Sequence, residues 1–311
     1  MLRFIVGRVV GLAPVLCAAI VATFIATRLL PGDPVAVMLS DHSADVQMAA
    51  RLRAEYGLDK PLPEQFVRYI GDILTGDFGL SFRYVHMPVW QVLKDSLLIS
   101  PLLALAALAL ALPVGALAGV QAAAHRNRFQ DTAIIVVLVA GLSLPNFAIA
   151  TFLVYLISVK LNLLPVAGWG TFRQAILPVV ILAIPSAAYI ARLTRTFMLE
   201  VMQQDFVRTA RAKGLTNRLV IYRHAFRNTL VPLITSAGII FGGLLSNTVV
   251  VETIFNIPGL GRLAIDSIFA RDYPVAMAVV MLFVVFFALI NLIVDTLYAL
   301  VDPRVRDGAP A

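Results

Sequence analysis

Six charge-poor apolar runs alternate with polar segments along the chain. They fall at about residues 9–30, 97–124, 133–159, 174–191, 229–251 and 275–294. A run of about 20 apolar residues, folded as an α-helix, is long enough to cross a hydrocarbon core about 30 Å thick. The pattern therefore predicts an all-α integral membrane protein with six transmembrane helices.

The first run could be mistaken for a secretory signal peptide, because Arg3 and Arg8 precede it. From Val9 to Thr27, however, 19 residues lack any charge. The apolar part of a signal peptide is shorter, with about 7–15 residues. We therefore predict that residues 1–30 stay in the protein as its first transmembrane helix.

A long polar segment over 31–95 is predicted to form an external loop. It follows Leu30-Pro31-Gly32-Asp33-Pro34, whose prolines end the first helix. Asp45–Tyr56 and Leu62–Leu74 have the spacing of short amphipathic helices. We expect a small cap on the outer surface here, and not a separate domain.

The other five spans form a predicted core over 96–301, which includes a loop over 192–228, and a tail follows over 302–311. From Arg192 to Arg227 the chain has eight basic residues against two acidic ones. Cytoplasmic loops of membrane proteins are enriched in Lys and Arg, so this loop is predicted to be cytoplasmic. With an even number of spans, both termini then lie in the cytoplasm.

Composition changes this picture little. Charged residues make up 14% of the chain and hydrophobic residues 60%, whereas about a quarter of a soluble domain is charged. The net charge of +7 would suggest nucleic-acid binding in a soluble protein. Here the basic residues lie beside apolar spans, so the cytoplasmic bias explains them and we expect no nucleic-acid partner.

The chain lacks the motifs of an ATPase or of another enzyme. Its four lysines are followed by Pro61, Asp95, Leu161 and Gly214, and none of these is the Ser or Thr that follows the lysine of a P-loop. No HExxH or GxSxG sequence occurs, and Cys17 is the single cysteine. We therefore expect no catalytic site, no metal site and no cofactor in this chain. Any ATP hydrolysis must come from a partner.

Few polar groups lie within the predicted spans. No ionisable side chain falls in the middle of a span, although an ion-coupled carrier usually needs one there. A self-contained ion-coupled secondary transporter is the alternative that this pattern disfavours. Uncharged polar residues either line a transport pathway or hydrogen-bond the helices to each other, and they are Ser143, Asn146, Asn247 and Asn291. Prolines predict kinks or flexing points, at Pro113, Pro145 and Pro185.

The predicted cytoplasmic loop has the pattern of two short helices joined at a glycine. Glu200–Lys213 is predicted to be one helix that stops at Gly214, the residue type best suited to a left-handed C′ position. Thr216 or Asn217 can cap a second helix over 218–228. Such a pair either inserts into a groove on a cytoplasmic partner or lies as an amphipathic hairpin on anionic lipid.

Motifs in this loop and elsewhere resemble those of one transport family. Asp205-Phe206-Val207-Arg208-Thr209-Ala210-Arg211-Ala212-Lys213-Gly214-Leu215, followed by Arg223-His224-Ala225-Phe226-Arg227-Asn228, resembles the coupling loop of bacterial binding-protein-dependent ABC permeases. Further matching signatures are Leu30-Pro31-Gly32-Asp33-Pro34, Glu252-Thr253-Ile254-Phe255-Asn256-Ile257-Pro258-Gly259-Leu260-Gly261, Arg271-Asp272-Tyr273-Pro274 and Asp302-Pro303-Arg304-Val305-Arg306. Together they make the chain similar to the first permease subunit of the dipeptide, oligopeptide and nickel importer family. Arg208-Thr209-Ala210 stands where the general pattern has Glu-Ala-Ala, which resembles this subfamily's own version.

The resemblance implies an ABC importer permease (MetI-like) fold with cytoplasmic coupling helices, in the lipid of a bacterial inner membrane. It also implies a second homologous permease, two cytoplasmic ATPase subunits that bind ATP and magnesium, and an external solute-binding protein as partners. The implied solute is a dipeptide, an oligopeptide or a similar small molecule. The residues implied to couple the permease to the ATPases are Asp205, Arg208, Ala210, Arg211, Ala212, Lys213, Gly214 and Leu215.

Overall fold

The computed structural model describes residues 2–29, 35, 39, 46–55, 57–84 and 86–301. Some sequence features lie outside these residues. They are the turn Leu30-Pro31-Gly32-Asp33-Pro34, the end residues Asp45 and Tyr56 of one predicted surface helix, and the motif Asp302-Pro303-Arg304-Val305-Arg306 with the rest of the tail.

Regular structure in the described chain is helical, apart from a β-bridge between Leu80 and Pro88. The first helices are α1 (Leu2–Leu29), α2 (Val46–Glu55), α3 (Leu62–Thr75), α4 (Val89–Leu93), α5 (Ile99–Ala124), α6 (Phe129–Ser143) and α7 (Asn146–Leu153), which continues as a π-helical segment (Val154–Lys160). The later ones are α8 (Phe172–Val201), α9 (Asp205–Ala212), α10 (Asn217–Leu219), a second π-helical segment (Val220–Ala225), α11 (Phe226–Phe255), α12 (Leu260–Phe269) and α13 (Tyr273–Val301). The two short helices predicted within 31–95 are confirmed as α2 and α3.

Four helical stretches of the described chain are long and apolar enough to cross a membrane, at Ile99–Ala124, Phe172–Val201, Asn217–Phe255 and Tyr273–Thr296. A fifth span results if the pair Phe129–Ser143 and Asn146–Lys160 counts as one. The apolar part of α1 is shorter, Val10–Ala26. The all-helical membrane class is thus confirmed, whereas the number of six spans stays a prediction.

The third predicted span, over 133–159, is not one straight helix. α6 and α7 meet at an angle of 101°. Proline restricts the residue before it to extended backbone, and Leu144, which precedes Pro145, has φ −86° and ψ 127°. The sequence predicted a kink at this proline, and the structure has a break. Pro113 and Pro185, by contrast, lie inside continuous helices.

One compact unit contains, among the described residues, 2–6, 101–257 and 289–301. Within it α5 packs closely on α8 through glycines. A Cβ built on Gly115 would lie 2.5 Å from the backbone oxygen of Ala187, and one built on Gly119 would overlap the backbone oxygen of Ala191. The lack of side chains at these glycines lets the two backbones approach, as at many helix contacts in membranes.

The other compact unit contains residues 258–288 and the described part of 7–100. In this unit the Phe24 ring of α1 packs on α3, with ring centroids 5.1 Å from Phe66 and 5.8 Å from Tyr69. Burial in this contact region raises the pKa of Tyr69 to about 12. The fully buried residues of its main core come from α4, α12 and α13, and are Val89, Leu93, Leu260, Val275 and Val279.

Candidate functional site

The predicted coupling loop is shorter than its sequence suggested. α8 continues to Val201, so Glu200 belongs to α8, and the prediction of one helix over Glu200–Lys213 is wrong. Gln204 has extended backbone, with ψ 153°, which interrupts the helical path before α9 begins at Asp205. α9 is therefore a separate helix of eight residues between the end of α8 and a turn at Gly214.

Gly214 ends α9 in the left-handed conformation that its sequence position predicted, with φ +78°. Its N–H donates to the Arg211 carbonyl at 2.9 Å, and the next N–H, of Leu215, donates to the Ala210 carbonyl at 3.3 Å. These two bonds form a Schellman motif, which satisfies carbonyls at the end of a helix. A side chain at Gly214 would meet nothing within 4 Å, so the backbone conformation, and not space, requires glycine.

Apolar contacts hold α9 to the segment that follows it. Val207 and Ala210 are buried against Val220, and Leu215 packs on the same cluster. The opposite face of α9 is exposed and basic. One of its charges is paired, because Arg208 Nη1 lies 3.4 Å from Asp205 Oδ1. Both partners of this ion pair are exposed, so it adds little stability. The other exposed residues that the sequence assigned to coupling are Arg211, Ala212, Lys213 and Gly214.

The second predicted loop helix is not separate from the membrane span. Thr216 occupies the predicted cap position with extended backbone, but its side chain makes no capping hydrogen bond. From Asn217 the chain is helical without interruption to Phe255, through the π-helical segment. Because Val220 belongs to this long helix, α9 packs directly on the first turn of a candidate span.

A buried ion pair stabilises the other end of this region. Arg195 on α8 donates two hydrogen bonds of 2.8 Å to the Asp131 carboxylate in the first turn of α6. Asp131 is 3% exposed and also accepts the Asn127 N–H at 3.0 Å. The sequence analysis did not identify this ion pair, because nothing near Asp131 in the chain indicates a partner 64 residues away.

Asp272 explains the Arg271-Asp272-Tyr273-Pro274 motif. Its buried carboxylate accepts the Ser81 hydroxyl and the N–H groups of Phe82, at 3.0 Å, and Arg83, at 3.3 Å. One carboxylate thereby satisfies two backbone donors and a hydroxyl of a loop that has little regular structure of its own. The motif indicated the importance of Asp272 but not its partners.

Ser100 has a similar role for α12. Its buried hydroxyl accepts the N–H groups of Leu260, at 2.8 Å, and Gly261, at 3.4 Å, at the start of that helix. The hydroxyl acts as a cap supplied from a distant part of the chain. The motif that ends in Gly259-Leu260-Gly261 therefore marks a helix start, which sequence reasoning did not identify.

The four polar residues of the predicted spans lie on four different helices, α6, α7, α11 and α13. Ser143 donates to the Val139 carbonyl of its own helix at 2.8 Å, and Asn146 begins α7 directly after the break. Asn291 packs on α11, where a Cβ added at Gly238 would lie 2.5 Å from its Oδ1 atom. Asn247 is exposed on α11. Asn291 thus lies between two helices, whereas Asn247 faces outward.

The exposed faces of α5 and α11 differ in polarity. On α5 the exposed side chains over 102–117 are apolar, and they include Leu102, Leu105, Leu110, Val114 and Leu117. On α11 the exposed positions over 235–250 recur at spacings of three and four, and they are Thr235, Ile239, Gly243, Ser246, Asn247 and Val250. Lipid suits the α5 face, whereas the exposed Asn247 amide within a candidate span favours contact with protein or water.

Comparison with known proteins gives consistent matches over the whole chain. A protein-family model described as "Binding-protein-dependent transport system inner membrane component" matches residues 98–307, and a model of the N-terminal part of such components matches residues 1–100. The glutathione transport system permease protein GsiC of Escherichia coli K12 is 40% identical over 98% of this chain and 99% of its own length. GsiC of Pectobacterium atrosepticum is 42% identical with the same coverage.

Solved structures match the fold at lower identity. An inward-facing structure of the MetNI methionine ABC transporter has a chain that superposes with a TM-score of 0.60 at 18% identity, over 68% of this chain and 97% of that one. A second crystal form of MetNI gives a TM-score of 0.53 at 20% identity. At this identity the likeness concerns the fold.

Proposed function

The chain belongs to the family of binding-protein-dependent transport system inner membrane components, and we propose that α9 is the contact through which its partner ATPases drive transport. As a member, the chain is a multi-pass inner-membrane permease subunit of an ATP-driven importer, and not an enzyme. Such an importer also comprises ATPase subunits and a solute-binding protein. ATP and magnesium bind to the ATPase subunits, and this chain itself holds no cofactor.

The proposal is supported by the way α9 is held: one face and one end are fixed, and the other face is exposed and charged. Its inner face is fixed by Val207 and Ala210, and its end is fixed by the turn at Gly214. Its outer face presents Arg208 and Lys213 to a partner. A short helix with a rigid anchor and a free charged face suits insertion into a groove of another subunit. Because the anchor is the first turn of the long helix through α11, movement of the groove would tilt that span.

A second permease subunit covers the polar exposed face of α11. Asn247 is exposed on this face, where contact with lipid tails would leave its amide without hydrogen-bond partners. The neighbouring Ser246 hydroxyl donates to the Gly242 carbonyl of its own helix at 3.3 Å and can still accept a hydrogen bond. A homologous partner with a similar face would enclose these groups between the two subunits. The solute pathway then runs along this face.

The transported solute is a small peptide, with glutathione as the first candidate. The relatives with 40–42% identity over 98% of the chain are named as glutathione permeases. A hydroxyl and an amide on the α11 face can donate and accept hydrogen bonds with peptide groups. Uptake of labelled glutathione by the reconstituted importer, with unlabelled glutathione or a dipeptide as competitor, tests the solute. Uptake of a labelled dipeptide that unlabelled glutathione does not reduce, with no uptake of labelled glutathione, would exclude glutathione.

Both termini and the α9 segment lie in the cytoplasm. Within 192–227 the eight basic residues against two acidic ones support this orientation. Labelling of single cysteines with a membrane-impermeant thiol reagent in intact cells tests it. We expect labelling of Arg51→Cys and none of Lys213→Cys, and the reverse pattern would contradict the orientation.

One cross-linking experiment tests the two proposed contacts together. Cys17 is the single cysteine of the chain, so Cys17→Ser provides a background for Arg208→Cys and Asn247→Cys, with Arg51→Cys on α2 as the control. In the assembled importer, a thiol-reactive cross-linker should join position 208 to an ATPase subunit and position 247 to the second permease. Position 51 should react with neither. Cross-linking of position 51 to the ATPase, with none from 208, would overturn the proposal.

A further inference from the structure

A basic cavity of about 560 Å³ lies beside α9, between the end of α5, the end of α8 and the start of the long helix at Asn217. Its mouth carries four guanidinium groups and one imidazole. These belong to His125, Arg126, Arg128, Arg211 and Arg218. No Asp or Glu is among the described residues that line the cavity.

Within the described part of the chain, none of the four arginines of this cavity makes a salt bridge. Asp131 is close enough to Arg126 for a charge attraction. Both oxygens of its carboxylate, however, accept hydrogen bonds from Arg195. Clustered guanidinium groups repel each other, so their convergence on one cavity favours an anion as the missing partner.

The inner wall of the cavity is apolar. Ala123 and Ile221 are buried there, and Leu199 and Met202 complete the wall. Gln121 donates a hydrogen bond of 2.8 Å to the Tyr222 hydroxyl, which joins the last turn of α5 to the π-helical segment beside it. α5 and α8 are candidate membrane spans, and the cavity adjoins the ends of both. We therefore place the cavity at the level of the lipid headgroups.

We propose that this cavity binds a phosphate group, carried by an anionic phospholipid whose glycerol and upper acyl region rests on the apolar wall. Guanidinium groups match phosphate oxygens by charge and by paired N–H donors. Basic pockets between span ends are known to suit acidic lipid headgroups. A free phosphate would use the same arginines but would leave the apolar wall without a partner, which favours the lipid as the source.

The site has a consequence for the neighbouring segment. Arg211 lies on α9, Arg218 on α10, and Arg126 in the connection between α5 and α6. A phosphate held by all three would fix α9 against the span ends. Lipid charge would then set how firmly α9 is held.

The test is lipid binding to the purified full chain without its partners, measured by native mass spectrometry. Phosphatidylglycerol, phosphatidylcholine and inorganic phosphate are titrated separately. We expect phosphatidylglycerol to bind at least tenfold more tightly than phosphatidylcholine. The double variant Arg126→Gln/Arg218→Gln should lose about 25-fold in affinity for phosphatidylglycerol, or about fivefold for each arginine, since one basic residue near a lipid surface contributes about 1 kcal/mol. The charge-matched control Arg227→Gln, which is exposed but does not line the cavity, should change it less than twofold.

The outcomes distinguish the sources and the alternatives. Tight, arginine-dependent binding of inorganic phosphate, with no gain from the lipid, would support the phosphate site and assign it to a free anion. Equal affinity for the two lipids, unchanged in the double variant, would overturn the site. Loss of ATPase assembly in the double variant with unchanged lipid affinity would also overturn it, because the cavity would then serve acidic side chains of the partner. Lipid binding by the chain alone does not depend on the role proposed for α9, so the two proposals fail separately.

Discussion

The short helix α9 and the loop over 81–84 both connect longer helices, but different interactions hold them in place. The loop is fixed by the buried Asp272 carboxylate, which accepts hydrogen bonds from Ser81, Phe82 and Arg83. α9 is fixed by Val207 and other small apolar contacts, and its charges stay on the surface. The Asp272 carboxylate therefore stabilises the loop from within, whereas the charged side chains of α9 stay available to a partner.

This difference predicts how each segment responds to substitution. A buried carboxylate with three donors cannot be removed without leaving polar groups unsatisfied, so its loss should damage the structure. Exposed arginines can be removed at little structural cost, so their loss should damage function first. The following substitutions test the comparison, from the largest expected effect on stability to the smallest.

Asp272→Ala should cause the largest loss. Two buried backbone N–H groups and a hydroxyl lose their acceptor, which we expect to cost about 3 kcal/mol locally. Hydrogen-exchange mass spectrometry should show exchange in the peptide that covers 80–84 faster by about 100-fold. Asp59→Ala, at an exposed aspartate of the same unit, is the control and should leave exchange unchanged. Equal protection in both variants would show that the loop does not depend on Asp272.

Gly214→Val should cost about 2 kcal/mol at the end of α9, because a β-branched residue is strained at φ +78°. The spans should stay folded, while solute-stimulated ATP hydrolysis by the importer falls. Gly214→Asn is the matched variant, since asparagine tolerates the left-handed conformation better. It should retain most of the coupling. If both variants were fully active, the turn would have no part in coupling.

Val207→Ala removes two buried methyl groups from the anchor of α9 and should cost about 1.5 kcal/mol. We expect faster hydrogen exchange over 205–215, with no change over 80–84. The matched substitution is Phe206→Ala, at a neighbour that is 38% exposed and makes no part of this buried cluster. If Val207 anchors α9, Val207→Ala must increase hydrogen exchange over 205–215 more than Phe206→Ala does.

Arg208→Gln should change stability by less than about 0.5 kcal/mol, because its ion pair with Asp205 is exposed. Its effect should appear in assembly, as an affinity for the ATPase subunits lower by about fivefold at low salt. Pull-down of the ATPases at increasing salt concentration measures this. Unchanged assembly at every salt concentration would remove Arg208 from the interface.

The local features of α9 were accessible from sequence, and its boundaries were not. Gly214 was predicted as the left-handed end of a helix because that preference belongs to one residue type and needs no distant partner. The start of α9 was predicted five residues too early, at Glu200 and not Asp205. The residues between them favour helix nearly as well as their neighbours do, so the interruption at Gln204 has no strong local signal.

The membrane class, the family resemblance and the helical turn at Gly214 followed from the order of residues, because hydrophobic length and backbone preference act over a few positions. The sequence predicted where the helix bends, at Pro145, but not the bend angle of 101°. That angle depends on what the two helices pack against. The partners of Asp272 and Ser100 lie 160–191 residues away, and the arginines of the basic cavity come from separate segments. Such contacts exist only after folding brings these segments together, and no local pattern records which distant side chain will occupy a neighbouring position.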